Sequence, residues 1–127
     1  MSRLTQITIP APTTWINSNQ RLHRMQTAKL TAAWRAATAQ RLHERGWDLT
    51  PYEGTVRIVA HIYKPRLGRY DPGNLYPTAK ACIDGIVDAG LLNDDDYKHV
   101  IGPDMRHGGK GPPAITLTIT QEETHGD

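Results

Sequence analysis

Residues 55–90 of the chain read TVRIVAHIYKPRLGRYDPGNLYPTAKACIDGIVDAG, and this stretch contains the strongest signals of secondary structure. From 55 to 63, mostly β-branched apolar residues occupy every second position, which is typical of a strand with one buried face. After a basic loop, Lys64–Tyr70, apolar residues recur at helical spacing from Leu75 to Val87, and Gly90 follows as a helix-ending residue. Asn74 is the expected N-cap of this helix, with Pro77 in its first turn. The stretch therefore predicts a strand followed by a helix of about five turns.

The remaining segments complete an α+β pattern. Residues 4–9 alternate as a first strand, and an Ala-rich helix is expected from near Arg24 to Gly46. A short strand is expected from Tyr97 to Met105, a hairpin turn at Gly108–Gly111, and a last strand from Ile115 to Thr120, before a frayed tail. The order β-α-β-α-β-β predicts a single α+β domain over residues 1–127, with a small mixed sheet and two main helices packed on one face.

Length and composition restrict the class of protein. The chain has 127 residues, with 38% hydrophobic and 22% charged, which is a globular profile that excludes collagen-like and disordered proteins. No apolar run reaches the roughly 18 to 20 residues that span a bilayer, and the N-terminus lacks the apolar core of a signal peptide. The single cysteine, Cys82, excludes an intramolecular disulfide. We therefore expect a cytoplasmic protein with no membrane partner.

Charge is distributed unevenly along the chain. Residues 1–70 contain 11 Lys and Arg against 3 Asp and Glu, a net charge of +8, whereas residues 71–127 contain 4 against 10, a net charge of −6. All seven acidic residues between Asp71 and Asp104 are aspartates. The basic half would attract a polyanion, and the aspartates would repel it unless a cation neutralised them. This asymmetry favours a nucleic acid and a divalent cation as partners.

Two groups of aspartates could form a metal site. Asp71 ends the basic loop, and Asp94–Asp96 follow the helix. If the sheet directs both groups toward one cleft, their oxygen ligands suit Mg²⁺ or Mn²⁺, which prefer carboxylates. Aspartate-rich turns are also common as helix caps and solvated loop tips, so spacing alone leaves both interpretations open.

A longer pattern surrounds these aspartates. It consists of Arg69-Tyr-Asp-Pro-Gly-Asn-Leu75, Lys80, Ile83-Asp-Gly85, Ala89-Gly-Leu91 and Asp94-Asp95. This order resembles the core of the RusA family of Holliday junction resolvases, which occur in bacteriophages and prophages. The upstream segment Asn17–Arg24 and the last strand are also similar to that family. The resemblance thus extends over nearly the whole chain and is most specific across Arg69–Asp95.

The resemblance implies a RusA-like fold and a homodimeric, Mg²⁺-dependent endonuclease that nicks four-way DNA junctions symmetrically, without a small-molecule cofactor. By position, Asp71 matches the first catalytic aspartate of the family and Asp95 the last, with Asp94 as the adjacent acid. Lys80 is expected to assist at the phosphate or the leaving oxygen. The arginines expected to bind the DNA backbone are Arg66, Arg69, Arg21 and Arg24.

One family position is different here. The second aspartate of the family's Asp-x-Asp pair is Gly73, and the usual lysine position is Pro77, so Lys80 lies about one helical turn further on. Either Asp84 or Asp96 supplies the missing carboxylate ligand, or catalysis is weakened. A non-catalytic junction- or duplex-binding protein is therefore the alternative prediction, and a phosphohydrolase acting on nucleotides is a third.

Overall fold

The computed structural model describes residues 3–44 and 46–122, and its elements follow the predicted order. The strands and helices are β1 (Leu4–Pro10), α1 (Arg24–His43), β2 (Val56–Lys64), α2 (Tyr76–Asp88), β3 (Val100–Lys110) and β4 (Ala114–Gln121). A short 3₁₀ helix, Pro72–Leu75, precedes α2. In the part of the chain that the structure describes, no helix has the length and apolar character needed to cross a membrane.

The four strands form one mixed sheet in the order β1-β4-β2-β3. The central strand β2 is antiparallel to β4 and parallel to β3, and β1 is antiparallel to β4. The connection from β2 through α2 to β3 is therefore a βαβ crossover. Val56, Ile58, Ala60 and Ile62 on β2 are all fully buried, as the period of two predicts.

Both helices pack on the same face of the sheet and enclose the core. Trp34 of α1 is fully buried, stacks on Trp15 with ring centroids 5.2 Å apart, and donates a 2.9 Å hydrogen bond to the carbonyl of Thr14. Helix α2 buries Ala79, Cys82, Ile83 and Ile86. The predicted α+β architecture, a single small domain with two helices on a mixed sheet, is confirmed.

The start of α2 differs from the prediction. Asn74 is not the N-cap, because it lies inside the 3₁₀ helix and its N–H donates to the carbonyl of Asp71 at 3.0 Å. Asp71 is the N-cap of the 3₁₀ helix, where its carboxylate accepts from the N–H of Gly73 at 2.9 Å, and the N-cap of α2 is Leu75, which makes no side-chain capping bond. Helix α2 has 13 residues, fewer than five turns. Pro77 does lie in its first turn, as expected.

The connection between β3 and β4 also differs, because these two strands do not form a hairpin. Strand β2 lies between them in the sheet. Strand β3 pairs with one edge of β2, in parallel, and β4 pairs with the other edge, antiparallel. Strand β3 is longer than expected and begins later, at Val100. Of the expected tail, Gln121 belongs to β4, and residues 123–127 lie outside the described part.

Candidate functional site

Lys80 connects helix α2 to the acidic turn that follows it, Asp94–Asp96. Its ammonium lies 3.0 Å from a carboxylate oxygen of Asp84, one helical turn along the same face, and is also ion-paired with Asp95. The chain reverses after α2 at Gly90, whose φ of 89° is left-handed, and Leu91 and Leu92 are then buried in the core. This reversal brings the acidic turn back toward the middle of the helix.

The carboxylates of Asp84 and Asp95 thus converge on one positive centre. Their side chains are 27% and 26% exposed, and that of Lys80 is 40% exposed, so the group lies at the surface and is accessible to solvent. Exposed ion pairs contribute little to stability. The arrangement is of interest because two oxygen donors facing a single cation are the ligand type that a hard divalent metal prefers. We call Lys80, Asp84 and Asp95 the lysine cluster.

Asp71 lies outside the lysine cluster. Within residues 3–44 and 46–122, no hydrogen bond or ion pair joins it to Lys80, Asp84 or Asp95. The reason is topological: β2 and β3 are parallel, with Val56 opposite Val100 and Lys64 opposite Lys110. Asp71 follows the end of β2, whereas the acidic turn precedes the start of β3, so the two groups of aspartates lie at opposite ends of the crossover.

Asp94 belongs to a different group, with Asp96 and His99. One ligand atom from each of these residues lies within 4.8 Å of the others, so together they could hold a metal ion. His99 Nδ1 lies 2.5 Å from Asp96 Oδ1, and this side-chain hydrogen bond holds the pKa of Asp96 below its usual range. The donor set does not point to a particular metal. Sequence reasoning missed His99, although its spacing of three residues from Asp96 was a usable signal.

The basic loop before Asp71 is fixed at its base. The Lys64 ammonium lies 4.1 Å from the centroid of the Tyr70 ring, and the Tyr70 hydroxyl is hydrogen-bonded to His107 Nδ1 at 2.5 Å. Partial burial raises the pKa of Tyr70. Tyr70 and His107 were not singled out from the sequence, because no local pattern connects a loop residue to a strand 37 positions away. Between these anchors, Arg66 and Arg69 are exposed.

A second basic stretch approaches the 3₁₀ helix from the N-terminal side. The N–H of Ser18 donates to the carbonyl of Asn74 at 2.8 Å, and Thr78 Oγ1 both accepts from and donates to the backbone of Ile16. These bonds attach the segment before α1 to the start of α2. Arg21 and Arg24, which follow this segment, are exposed. Both predicted pairs of DNA-binding arginines therefore flank the capped turn that begins at Asp71.

Comparisons with known proteins assign no activity. No family model matches this chain. A protein of Xylella fastidiosa (strain Temecula1 / ATCC 700964), described as "Uncharacterized protein", is 29% identical over 133 residues, covering 99% of this chain and 84% of the relative. This chain is thus similar to that protein over nearly all of its own length.

Proposed function

We propose that the protein is a homodimeric, Mg²⁺-dependent endodeoxyribonuclease that resolves four-way DNA junctions during recombination and repair. Its place of action would be the cytoplasm of a bacterial host that carries a phage or prophage. The observation that carries the proposal is the convergence of Asp84 and Asp95 on Lys80, in the βαβ unit that also presents Asp71 and the basic loop. The sequence resemblance to the RusA family supports the same conclusion.

The residues present fit a hard divalent cation. Asp84 and Asp95 already face one positive centre, and their donors are all oxygens, as Mg²⁺ or Mn²⁺ requires. In this proposal Asp84 and Asp95 are the candidate ligands at the lysine cluster, and Asp71 and Asp94 are the other two candidate ligands, which lie outside that cluster in this structure. When bound, the metal would activate water and stabilise charge on the scissile phosphate.

The other residues bind and orient the DNA. The Lys80 ammonium can donate hydrogen bonds to a phosphate or leaving oxygen close to the aspartates. Arg66, Arg69, Arg21 and Arg24 would bind phosphates and so position a duplex without reading its sequence. A two-fold dimer follows from the substrate, because symmetric nicking of two like strands needs two equivalent sites.

A non-catalytic junction-binding protein is the second candidate, and one observation favours it. Gly73 offers no carboxylate beside Asp71, and the Lys80 ammonium already satisfies Asp84 and Asp95. In that case only the basic contacts to DNA would remain functional.

Substitution of the aspartates separates these functions. With a synthetic four-way junction and Mg²⁺, we expect Asp71→Asn and Asp95→Asn each to reduce cleavage at least about 100-fold, more than loss of an outer-shell partner usually costs. Junction binding should be retained or tightened, because each change removes negative charge that repels phosphate. The matched control is Asp104→Asn, since Asp104 is ion-paired with Arg106 at 2.7 Å in strand β3, away from both groups.

Three results would decide against the nuclease. Normal cleavage by both variants would show that the metal ligands are wrongly assigned. A wild-type protein that binds junctions tightly but cuts them at no concentration of Mg²⁺ or Mn²⁺ would be the binding protein instead. Strong competition by mononucleotides would indicate a nucleotide phosphohydrolase.

A further inference from the structure

The tip of the basic loop presents an apolar side chain between two cations. Residues 65–69, Pro-Arg-Leu-Gly-Arg, are all exposed, and Leu67 is 66% exposed. Arg66 and Arg69 make no hydrogen bond or ion pair with any residue that the structure describes. The loop thus offers one leucine and two free guanidinium groups to a partner.

The base of the loop is fixed although its tip is open. The carbonyl of Lys64 accepts a 2.9 Å hydrogen bond from Gly111, and Tyr70 is held by Lys64 and His107. At the tip, a Cβ built on Gly68 would meet no other atom within 4 Å. A short segment with both ends anchored presents its tip in a limited set of orientations, so less ordering entropy is lost on binding.

Single exposed apolar residues are ordinary on protein surfaces, so exposure alone does not distinguish Leu67. Leu4 is comparably exposed at 61% and also has an arginine neighbour, Arg3. That arginine is occupied, because it donates to the carbonyls of Thr50 and Asp48. At Leu67 the flanking arginines are free and belong to the half of the chain with net charge +8. Leu67 and the two arginines are therefore complementary to a polyanion that has charged groups on its outside and apolar groups in its interior.

We propose that Leu67 inserts into the base stack at the branch point of a DNA junction, while Arg66 and Arg69 bind the flanking phosphates. Apolar side chains that enter between base steps must unstack them, and this cost is lower where stacking is already interrupted. Leu67 therefore makes the protein prefer branched DNA over a continuous duplex. The inference rests on the proposed function and adds a residue that determines the specificity of that site.

Binding without metal tests the proposal independently of cleavage. In EDTA, dissociation constants are measured for a four-way junction and for a duplex of the same sequence, with 2-aminopurine placed at the branch to report unstacking by its fluorescence. Leu67→Ala should weaken junction binding about tenfold, the size expected when one leucine is no longer buried, and change duplex binding less than about twofold. The fluorescence increase seen with wild type should be lost.

Three controls make the result specific. Leu4→Ala removes an equally exposed leucine and should leave both constants and the fluorescence unchanged. Arg66→Ala and Arg69→Ala should weaken binding to junction and duplex alike. Equal melting temperatures for wild type and Leu67→Ala would show that the fold is intact, as expected for an exposed side chain.

Several outcomes would overturn the inference. Leu67→Ala would disprove insertion if it weakened junction and duplex equally, or left the fluorescence increase intact. If the wild-type protein binds anionic lipid vesicles and Leu67→Ala does not, while DNA binding is unchanged, Leu67 contacts a membrane surface instead. Failure of the nuclease proposal gives a different result. A wild-type protein that does not cleave junctions, but prefers them over duplex through Leu67, would refute the nuclease and leave the inference about Leu67 intact. A wild type with no junction preference at all would refute both.

Discussion

At the scale of single residues, Gly73 is the position on which the chemistry most depends. Its backbone is not in the left-handed region, so an aspartate there would not be strained. A Cβ at Gly73 would lie 3.2 Å from Asp71 Oδ1, so Asp71 would have to shift by a few tenths of an ångström. The new carboxylate would thus lie beside that of Asp71, which is the pairing that the family pattern contains.

We expect Gly73→Asp to raise Mg²⁺ affinity about tenfold and to increase cleavage. A second unit charge within about 4 Å of a bound cation contributes one to several kcal/mol. Metal affinity is measured by calorimetry and cleavage by titration with Mg²⁺. Gly111→Asp is the control for added charge, because its Cβ position is open.

If another aspartate is the third metal ligand, the variants should show the opposite pattern of cleavage. If Asp84 or Asp96 already fills that role, Gly73→Asp gains nothing. Asp84→Asn or Asp96→Asn then reduces cleavage as severely as Asp71→Asn.

The sequence identified some site residues and not others, for a physical reason. Asp95 and Lys80 could be proposed because the order of residues around them resembles the RusA family, and the structure joins them in an ion pair. The contact between Tyr70 and His107 could not be predicted from the sequence, because it depends on how the loop after β2 lies against β3. Asp71 lies apart from the lysine cluster because of strand direction, which residue spacing does not contain.

At the scale of elements, the packing of α1 on α2 depends on Gly85. A Cβ at this position would lie 2.4 Å from the backbone oxygen of Arg35 and 2.9 Å from Cβ of Thr38. Helix α1 would therefore have to move away, although alanine is the better helix former by about 1 kcal/mol. The close approach of these helices also leaves Cys82 buried, which raises the pKa of its thiol to about 12.

We expect Gly85→Ala to destabilise the protein by about 1–3 kcal/mol, the usual cost of overpacking a core. Urea unfolding followed by circular dichroism measures the change. Gly68→Ala is the matched control, since its Cβ meets open space and its φ is not left-handed. Equal stability of Gly85→Ala and wild type would show that the helices separate without cost.

The type and order of the helices and strands could be predicted from the periodicity of the sequence. The ends of these elements and the pairing of the strands could not. The alternation in β2 and the apolar stripe of α2 are strong local signals. Asp71 and Asn74 are both good capping residues, and only the fold shows that Asp71 begins a 3₁₀ helix first. Strand β3 contains three glycines and a proline, which weaken the strand signal, and its partner β2 is distant in sequence.

At the scale of the whole molecule, the fold determines where the basic and acidic parts of the sequence lie relative to each other. The segment before α1 is attached to the 3₁₀ helix through Ser18 and Asn74, so the stretch that leads to Arg21 and Arg24 and the basic loop before Asp71 both adjoin this helix. The lysine cluster lies further along the same helix α2. Basic residues thus adjoin Asp71, which allows a phosphate backbone to approach this end of α2 despite the aspartate.

This arrangement gives a prediction for the salt dependence of DNA binding. Each phosphate contact adds about 0.9 to the slope of log K against log salt concentration for duplex DNA, because it releases condensed counterions. Replacing both Arg66 and Arg69 with alanine should therefore flatten the slope by about 1.8, independently of DNA sequence. Arg106→Ala is the control, because Arg106 is ion-paired with Asp104 at 2.7 Å and already has a partner for its charge. A slope that the double variant leaves unchanged would place the DNA elsewhere on the protein, whereas a larger change for Arg106 would move the binding surface to the edge strand β3.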